Sequence, residues 1–479
     1  MATSVQARGG CIASEGKNLP TGRLFAHSLL NIPITSVQLP IGVYLPAIYA
    51  QQYGLSLTVL GMIFLVERLW GTATDPFVGW LCDRTKSRYG RRKVWIAAGS
   101  FLYAAASWLL FFPGPDVTPV YLAATLVVLF LALSMIQIPY FAWSGELTGD
   151  YHERTRVTTF QTVAGAVGMF GVLLLPTFAD RYFPGDQLAK LNGMGAAILL
   201  PVIPLTIFAL RAFPDRSKPQ TQRLPRVPLL LAAKAVLAEK VLLRVLLADF
   251  AIVFAQSARG AVFVFFVSFV AGMPQLASAL FLFQFIFGIA AAPIWQAIAR
   301  RIGKHHALVV AELGQAAVNF ALIFVGKGDL ALLAGLTVAQ GLMQGSGNLL
   351  MRSMLADVAD EHRLRTGQDR AALLFSVLSI SGKAGTALPI GIVLPLIAWF
   401  GFDPAAAIIP PGGLLALALA FSLIPGFAHL IGAGLVRGFA IDEVRQTEIR
   451  QQLEEREAAS KVAAAGSASA QSLSSVRAP

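Results

Sequence analysis

The sequence predicts an all-α membrane protein, with twelve transmembrane helices in two pseudo-symmetric six-helix halves. Three observations carry that prediction. The first is composition: 56% of the 479 residues are apolar and 13% are charged, against about 25% charged in a soluble domain, and mean hydropathy is +0.65. A water-soluble globule cannot cover so much apolar surface, which excludes an ordinary soluble enzyme, and a disordered or fibrous chain would not carry it. The second is a series of twelve apolar runs, each close to the ~20 residues that a helix needs to cross a bilayer. The third is the placing of the basic residues, which gather in alternate connections.

The runs, taken as spans 1 to 12, fall at about 24–50, 58–82, 94–112, 119–143, 157–179, 191–213, 244–272, 276–299, 307–326, 329–352, 371–399 and 411–436. They are too long and continuous for barrel strands, and a lone helix satisfies all of its backbone groups in lipid. The connection after span 2, from Asp83 to Lys93, holds six Lys or Arg residues, and that between spans 6 and 7, from Arg211 to Arg244, holds eight. Arg300, Arg301 and Lys304 follow span 8, whereas the other side carries Arg181, Lys190 and Lys327. Positive residues stay on the cytoplasmic side. The even-numbered connections and both termini are therefore expected inside, in a multi-pass protein of the plasma (inner) membrane. The net charge of +12 has this topological origin and does not point to nucleic acid.

Domain organisation follows from the same pattern. A cytoplasmic tail is expected at 1–23, a first half at 24–213, a Pro-rich basic loop at 214–243, a second half at 244–436 and a charged, then Ala/Ser-rich, tail at 437–479. The tail is expected to be solvated and helical at first. No apolar segment precedes residue 20, so no cleavable signal is expected, and Cys11 and Cys82 imply no disulfide framework. An internal repeat links the halves. Glu146-Leu-Thr-Gly-Asp150-Tyr-His-Glu153-Arg154 follows span 4, Ala356-Asp357-Val-Ala-Asp360-Glu361-His362 follows span 10, and the basic loops after spans 2 and 8 correspond. Matched halves of this kind are the mark of secondary carriers.

A charge at mid-membrane costs about 2.5–3.5 kcal/mol on insertion scales, so each needs a partner or a function. Glu67, Arg68 and Asp75 lie on span 2, Asp249 and Arg259 on span 7, Glu312 on span 9 and Lys383 on span 11. At about 100° per residue, Arg68 and Asp75 point the same way. Pro76, after Asp75, loosens the backbone there. Lys383 sits among Ser379, Ser381, Gly382 and Gly385, small residues that permit close helix approach. Asp249 is expected near the cytoplasmic end of its span, where a helix-end role suffices. The basic loop with Arg84 and Arg92 is a candidate to pair with Glu146, Asp150 and Glu153 and so close a cytoplasmic gate; holding the loop inside is its simpler role.

The residues from Phe64 through Glu67, Arg68, Gly71, Asp75, Pro76 and Trp80, then Asp83-Arg84-Thr85 through Arg91-Arg92-Lys93, resemble the signature of the glycoside–pentoside–hexuronide cation symporters. These are the melibiose-carrier-like branch of the major facilitator superfamily. Ile138-Pro139-Tyr140 with the loop from Glu146 to Arg156, and Ser353 through Gly367 with Lys383, are similar to the family's helix 4 and helix 10–11 regions. The resemblance covers about residues 24–436 and implies a cation-coupled importer working by alternating access. Asp75 matches the second helix-2 carboxylate of the family's cation region, Lys383 its helix-11 lysine and Arg68 its helix-2 arginine. The first helix-2 carboxylate falls on Gly71, the helix-4 carboxylate on Gln137, a sugar-binding helix-1 Asp on Thr35, and a Trp beside the sugar on Phe141. Those departures remove the acids of a conventional sodium site and of galactoside recognition. Glu67, one turn before Gly71 and about 6 Å along the axis, is a candidate replacement acid.

Asp75, Lys383 and Glu67 are therefore the candidate cation-coupling residues, with Arg68 as a charge partner. Thr35, Gln38, Gln137, Phe141, Gln256 and Arg259 are candidate solute contacts near mid-membrane. The coupling ion is expected to be a proton or Na+, with no cofactor and no resident metal. His27, His152, His305, His306, His362 and His429 are expected mostly in loops or at helix ends, without zinc spacing. No phosphate-binding loop is present, so ATP is not expected to drive the protein, and no nucleophile–base constellation marks an enzyme. The expected partners are a small-molecule solute and the lipid bilayer, with the protein a monomer. Two other functions remain open: a carrier of an amphiphile such as a lysophospholipid, or a non-transport assembly or sensor protein on the same fold.

Overall fold

The computed structural model describes residues 19–148, 151–215, 240–367 and 371–456. Asp150, the central loop from 216 to 239 and the outer parts of both tails lie outside them. All regular structure in the described residues is helical, with no strand among them. Among the described residues, eleven helices are long and apolar enough to cross a bilayer: Thr21–Tyr53, Leu57–Arg84, Arg91–Phe111, Pro119–Glu146, Glu153–Tyr182, Gln187–Ala212, Lys240–Val270, Pro274–Ile302, Lys304–Phe324, Val377–Trp399 and Pro411–Val436. These are spans 1 to 9, 11 and 12. Span 10 is the apolar helix Leu330–Gln344, too short alone at about 22 Å, continued after a two-residue break by Gly347–Thr366.

The break in span 10 has a packing cause. A Cβ on Gly341 would lie 2.4 Å from the Gln284 carbonyl oxygen and one on Gly345 2.5 Å from that of Gly288. Spans 8 and 10 thus touch backbone to backbone along a small-residue stripe. Span 1 is broken by its prolines: helical segments Thr21–Ser28 and Asn31–Ser36 lead to a wide turn at Pro40–Tyr44 and a last segment, Leu45–Tyr53. Span 7 ends in a similar wide turn, Phe266–Val270, and packs against that of span 1. Large apolar side chains such as Leu200 (74% exposed) and Phe324 (78%) point outward, as lipid-facing residues must.

Each half has a buried polar brace. In the first, His27 is fully buried on span 1 and bonds Ser144 at 2.9 Å, which also accepts from Gln161 at 2.6 Å. In the second, His429 of span 12 lies 2.6 Å from Glu312 of span 9, both fully buried, and Gln315 donates to Glu312 at 3.0 Å. His27 lies in the last turn of its helical segment, as expected, whereas His429 sits inside its helix, against the sequence expectation, because its partner comes from another span. Glu312→Ala is expected to destabilise the detergent-solubilised protein by roughly 3 kcal/mol, since breaking a buried pair strands its partner. The double change Glu312→Leu with His429→Leu is expected to cost less; thermal unfolding of the two variants is the check.

The repeat in the sequence reappears at the face carrying the basic loops. Arg92 bonds Glu146, with Arg91 3.8 Å from the same carboxylate. In the other half Lys304 bonds Asp357 at 2.7 Å. The Arg92 N–H donates to Asp215 at 2.9 Å, and Gly90 (φ +100°) makes room, since a Cβ there would fall 2.5 Å from Asp215. These pairs tie spans within one half, so Arg92–Glu146 does not bridge the halves as a gate between them would. Arg84 lies over the Trp80 ring at 4.0 Å. Glu153 accepts from the Leu19 N–H at 2.9 Å and from Arg156 at 3.2 Å, which anchors the entry to span 1.

The halves meet closely at the opposite face. A Cβ on Gly61 of span 2 would lie 2.8 Å from the Pro395 ring and 3.0 Å from the Ile390 carbonyl oxygen of span 11, and one on Gly391 2.8 Å from Leu65. Ring pairs Tyr44–Phe281 and Phe170–Phe285 continue the seam, with centroids 6.2 and 5.5 Å apart. Past this seam, toward the basic-loop face, the halves part around a cavity.

Candidate functional site

The cavity has a volume of about 660 Å³ and takes its walls from spans 1, 2, 4, 7, 10 and 11. It runs from Gln38 toward the basic-loop face as far as Arg352 and Ser379. At its centre the Lys383 ammonium of span 11 pairs with the Asp75 carboxylate of span 2, from one half to the other. The other Asp75 oxygen accepts from the Ser134 hydroxyl at 2.5 Å. Lys383 reaches this point because span 11 is lined with small residues: a Cβ on Gly385 would lie 3.0 Å from Val253 of span 7. The side chains of Asp75 and Lys383 are 30% and 41% exposed. In a low-dielectric interior such a pair would be locked; at this exposure its net strength is modest.

Glu67 is 1% exposed, borders the same cavity and lies 3.6 Å from the Arg68 guanidinium. Gly71 leaves open space between it and Asp75, for a Cβ there meets nothing within 4 Å. Asp249 also borders the cavity, 3.8 Å from where a Cβ on Gly382 would be, so its position is internal and not the helix-end one expected. A smaller cavity of about 240 Å³ adjoins on the closed side and shares Gln38, Arg68 and Thr386 with the larger one. It receives Gln256 and Arg259 of span 7, with Gln284 and Gln344 across from them.

Of the candidate solute contacts, Gln38, Gln137, Gln256 and Arg259 border one or both cavities. Thr35 and Phe141 border neither. The Thr35 hydroxyl donates to the Asn31 and Gly165 carbonyls at 2.8 and 2.9 Å, stitching span 1 to span 5, and Phe141 packs on Tyr140 with centroids 5.3 Å apart. Sequence reasoning missed Ser134, which stands one turn before Gln137 on the same face of span 4, a spacing that points to it. It also missed Gln284 and Gln344, polar residues inside apolar runs. No cluster of His, Cys, Asp and Glu able to hold a metal occurs among the described residues.

Residues 26–443 match the family described as MFS/sugar transport protein. The chain belongs to this family. Among its relatives, the putative glycoside/cation symporter YagG of Escherichia coli (strain K12) is 23% identical over 432 residues, 88% of this chain and 93% of YagG. The sodium-dependent lysophosphatidylcholine symporter 1-A of Danio rerio is 23% identical over 431 residues, 82% of this chain and 80% of that one. The crystal structure of a D-xylose-proton symporter superposes with a TM-score of 0.63 at 13% identity, covering 88% of this chain and 97% of that one. That likeness shows the major facilitator fold, and the family match makes the chain a multi-pass membrane transporter. The cross-half pair Asp75–Lys383 lies in the larger cavity between the halves.

Proposed function

We propose that the protein is a cation-coupled secondary carrier that moves a sugar-like, hydroxyl-bearing solute by alternating access. The observation that carries this reading is the Asp75–Lys383 pair, a partly exposed ion pair spanning the two halves inside the cavity. A cation arriving at Asp75 releases Lys383 and with it a tie between the halves. Coupling then needs no further device: the tie between the halves depends on the occupancy of one carboxylate. Asp75 with the Ser134 hydroxyl offers few oxygens to a metal ion, whereas one carboxylate suffices for a proton. The coupling ion is accordingly assigned as a proton. The amide side chains of Gln38, Gln137 and Gln256 suit hydroxyl groups.

With the basic loops in the cytoplasm, the cavity opens inward and the seam at Gly61 and Gly391 closes the outside. The carrier works as a monomer without ATP, in the plasma (inner) membrane. Uptake into membrane vesicles under an imposed proton or sodium gradient is the test. Accumulation of a glycoside driven by the proton gradient alone supports the assignment, and accumulation that needs sodium or ignores both gradients overturns it.

A further inference from the structure

The charges around the two cavities do not balance. Three acids, Glu67, Asp75 and Asp249, and three bases, Arg68, Arg352 and Lys383, line the larger one. The smaller one adds Arg259 and no acid. Arg259 is 3% exposed and donates to the Gln284 side-chain oxygen at 2.5 Å, while its Nε and Nη2 atoms have no hydrogen-bond partner. The rings of Phe263 and Phe421, 5.6 and 5.2 Å from its Cζ, offset part of the burial cost but accept no hydrogen bond. Guanidinium stays protonated in proteins and presents its donors as a fork suited to carboxylate or phosphate. Arg259 borders the smaller cavity, and a buried guanidinium whose donors the chain leaves unsatisfied calls for a partner from outside the chain.

A second arginine faces the same space. Arg68 of span 2 borders both cavities, and its Nη2 lies 3.8 Å from where a Cβ on Gly42, another lining residue, would be. Arg68 and Arg259 belong to opposite halves. Gln284, which holds Arg259, is itself held by donating to Gln344 at 2.8 Å, so this guanidinium is fixed before any ligand arrives.

We infer that the smaller cavity is an anion subsite, which takes a carboxylate or phosphate group of the transported solute between Arg259 and Arg68. The substrate is then an acidic solute, such as a sugar acid or a sugar phosphate, and not a neutral glycoside. This rests on the carrier reading above and narrows its substrate class. An anion held by both halves also gives the solute a reason to stabilise the conformation that closes around it.

The test is isothermal titration of the purified full-length protein with matched probes: methyl β-D-glucopyranoside, its uronide and its 6-phosphate, then a monoacylglycerol and the corresponding lysophosphatidate. At least one acidic glycoside is expected to bind about tenfold tighter than the neutral one, in line with one charge-assisted contact. That ratio is expected to collapse toward one in Arg259→Gln and to be partly kept in Arg259→Lys, whose retained charge also controls for folding. Neutral and acidic glycosides binding alike would overturn the subsite and leave the carrier reading standing. The same holds for a preference that survives Arg259→Gln in folded protein. Lysophosphatidate bound in an Arg259-dependent way, with no glycoside bound, would keep the subsite and overturn the sugar-like assignment.

Discussion

Asp75→Asn is expected to abolish uphill accumulation of solute. A proton gradient of about 1.7 pH units is worth about 2.3 kcal/mol, a concentration ratio of roughly fifty, so vesicles of the unaltered protein under that driving force are expected to concentrate solute by some tens-fold. The Asn variant is expected to stop at a ratio near one, because the amide cannot bind the cation that displaces Lys383. Folding is expected to survive, since the remaining Lys383 side chain is 41% exposed and keeps access to water. Lys383→Gln supplies the contrast. It leaves Asp75 able to bind a cation but removes the competitor, so the closed tie no longer depends on occupancy and accumulation is expected to fall for a different reason. Uptake at several external pH values separates the two: it is expected to respond to pH in Lys383→Gln and not in Asp75→Asn. Uphill uptake by Asp75→Asn equal to that of the unaltered protein would remove the cation role of this residue.

Gly61→Leu is expected to shift the protein away from the conformation described here. The new side chain meets the Pro395 ring and the Ile390 carbonyl, neither of which can swing aside. Overpacking of this kind typically costs about 1–3 kcal/mol, and it acts only where spans 2 and 11 are pressed together. About a tenfold shift in population follows from 1.4 kcal/mol. The expected signs are slower uptake and easier entry of reagents from the face opposite the basic loops, with the thermal stability of each half little changed. Gly391→Leu, against Leu65 in the same seam, is expected to behave alike.

The spans and their partner charges were legible because lipid imposes a simple rule: apolar runs must be long, and charges inside them must be accounted for. Asp75 and Lys383 stood out on that ground before any geometry was known, and the basic loop after span 2 was a candidate partner for Glu146, which Arg92 bonds; the pair Lys304–Asp357 in the other half was not anticipated. The faces of broken helices were not legible. Thr35, offered as a solute contact because the family's helix-1 Asp falls on it, packs on span 5 where Pro33, Pro40 and Pro46 interrupt span 1, while Gln38, just past the turn at Val37, borders both cavities. Partnerships between distant spans were equally hidden: nothing in the residues around His429 announces Glu312, 117 positions away. The depth of Asp249 was misread because position along a span says nothing about which neighbours surround it.

The most direct measurement is the reactivity of a single cysteine at Thr72, one of the cavity-lining residues, toward a membrane-impermeant maleimide in vesicles of both orientations. The background carries Cys11→Ser and Cys82→Ser. In the otherwise unaltered protein the residue is expected to react mainly from the basic-loop face, and in the Gly61→Leu background mainly from the opposite face. A Thr72 position sealed from both faces in both backgrounds, or reached from the same single face in both, would contradict alternating access around Asp75.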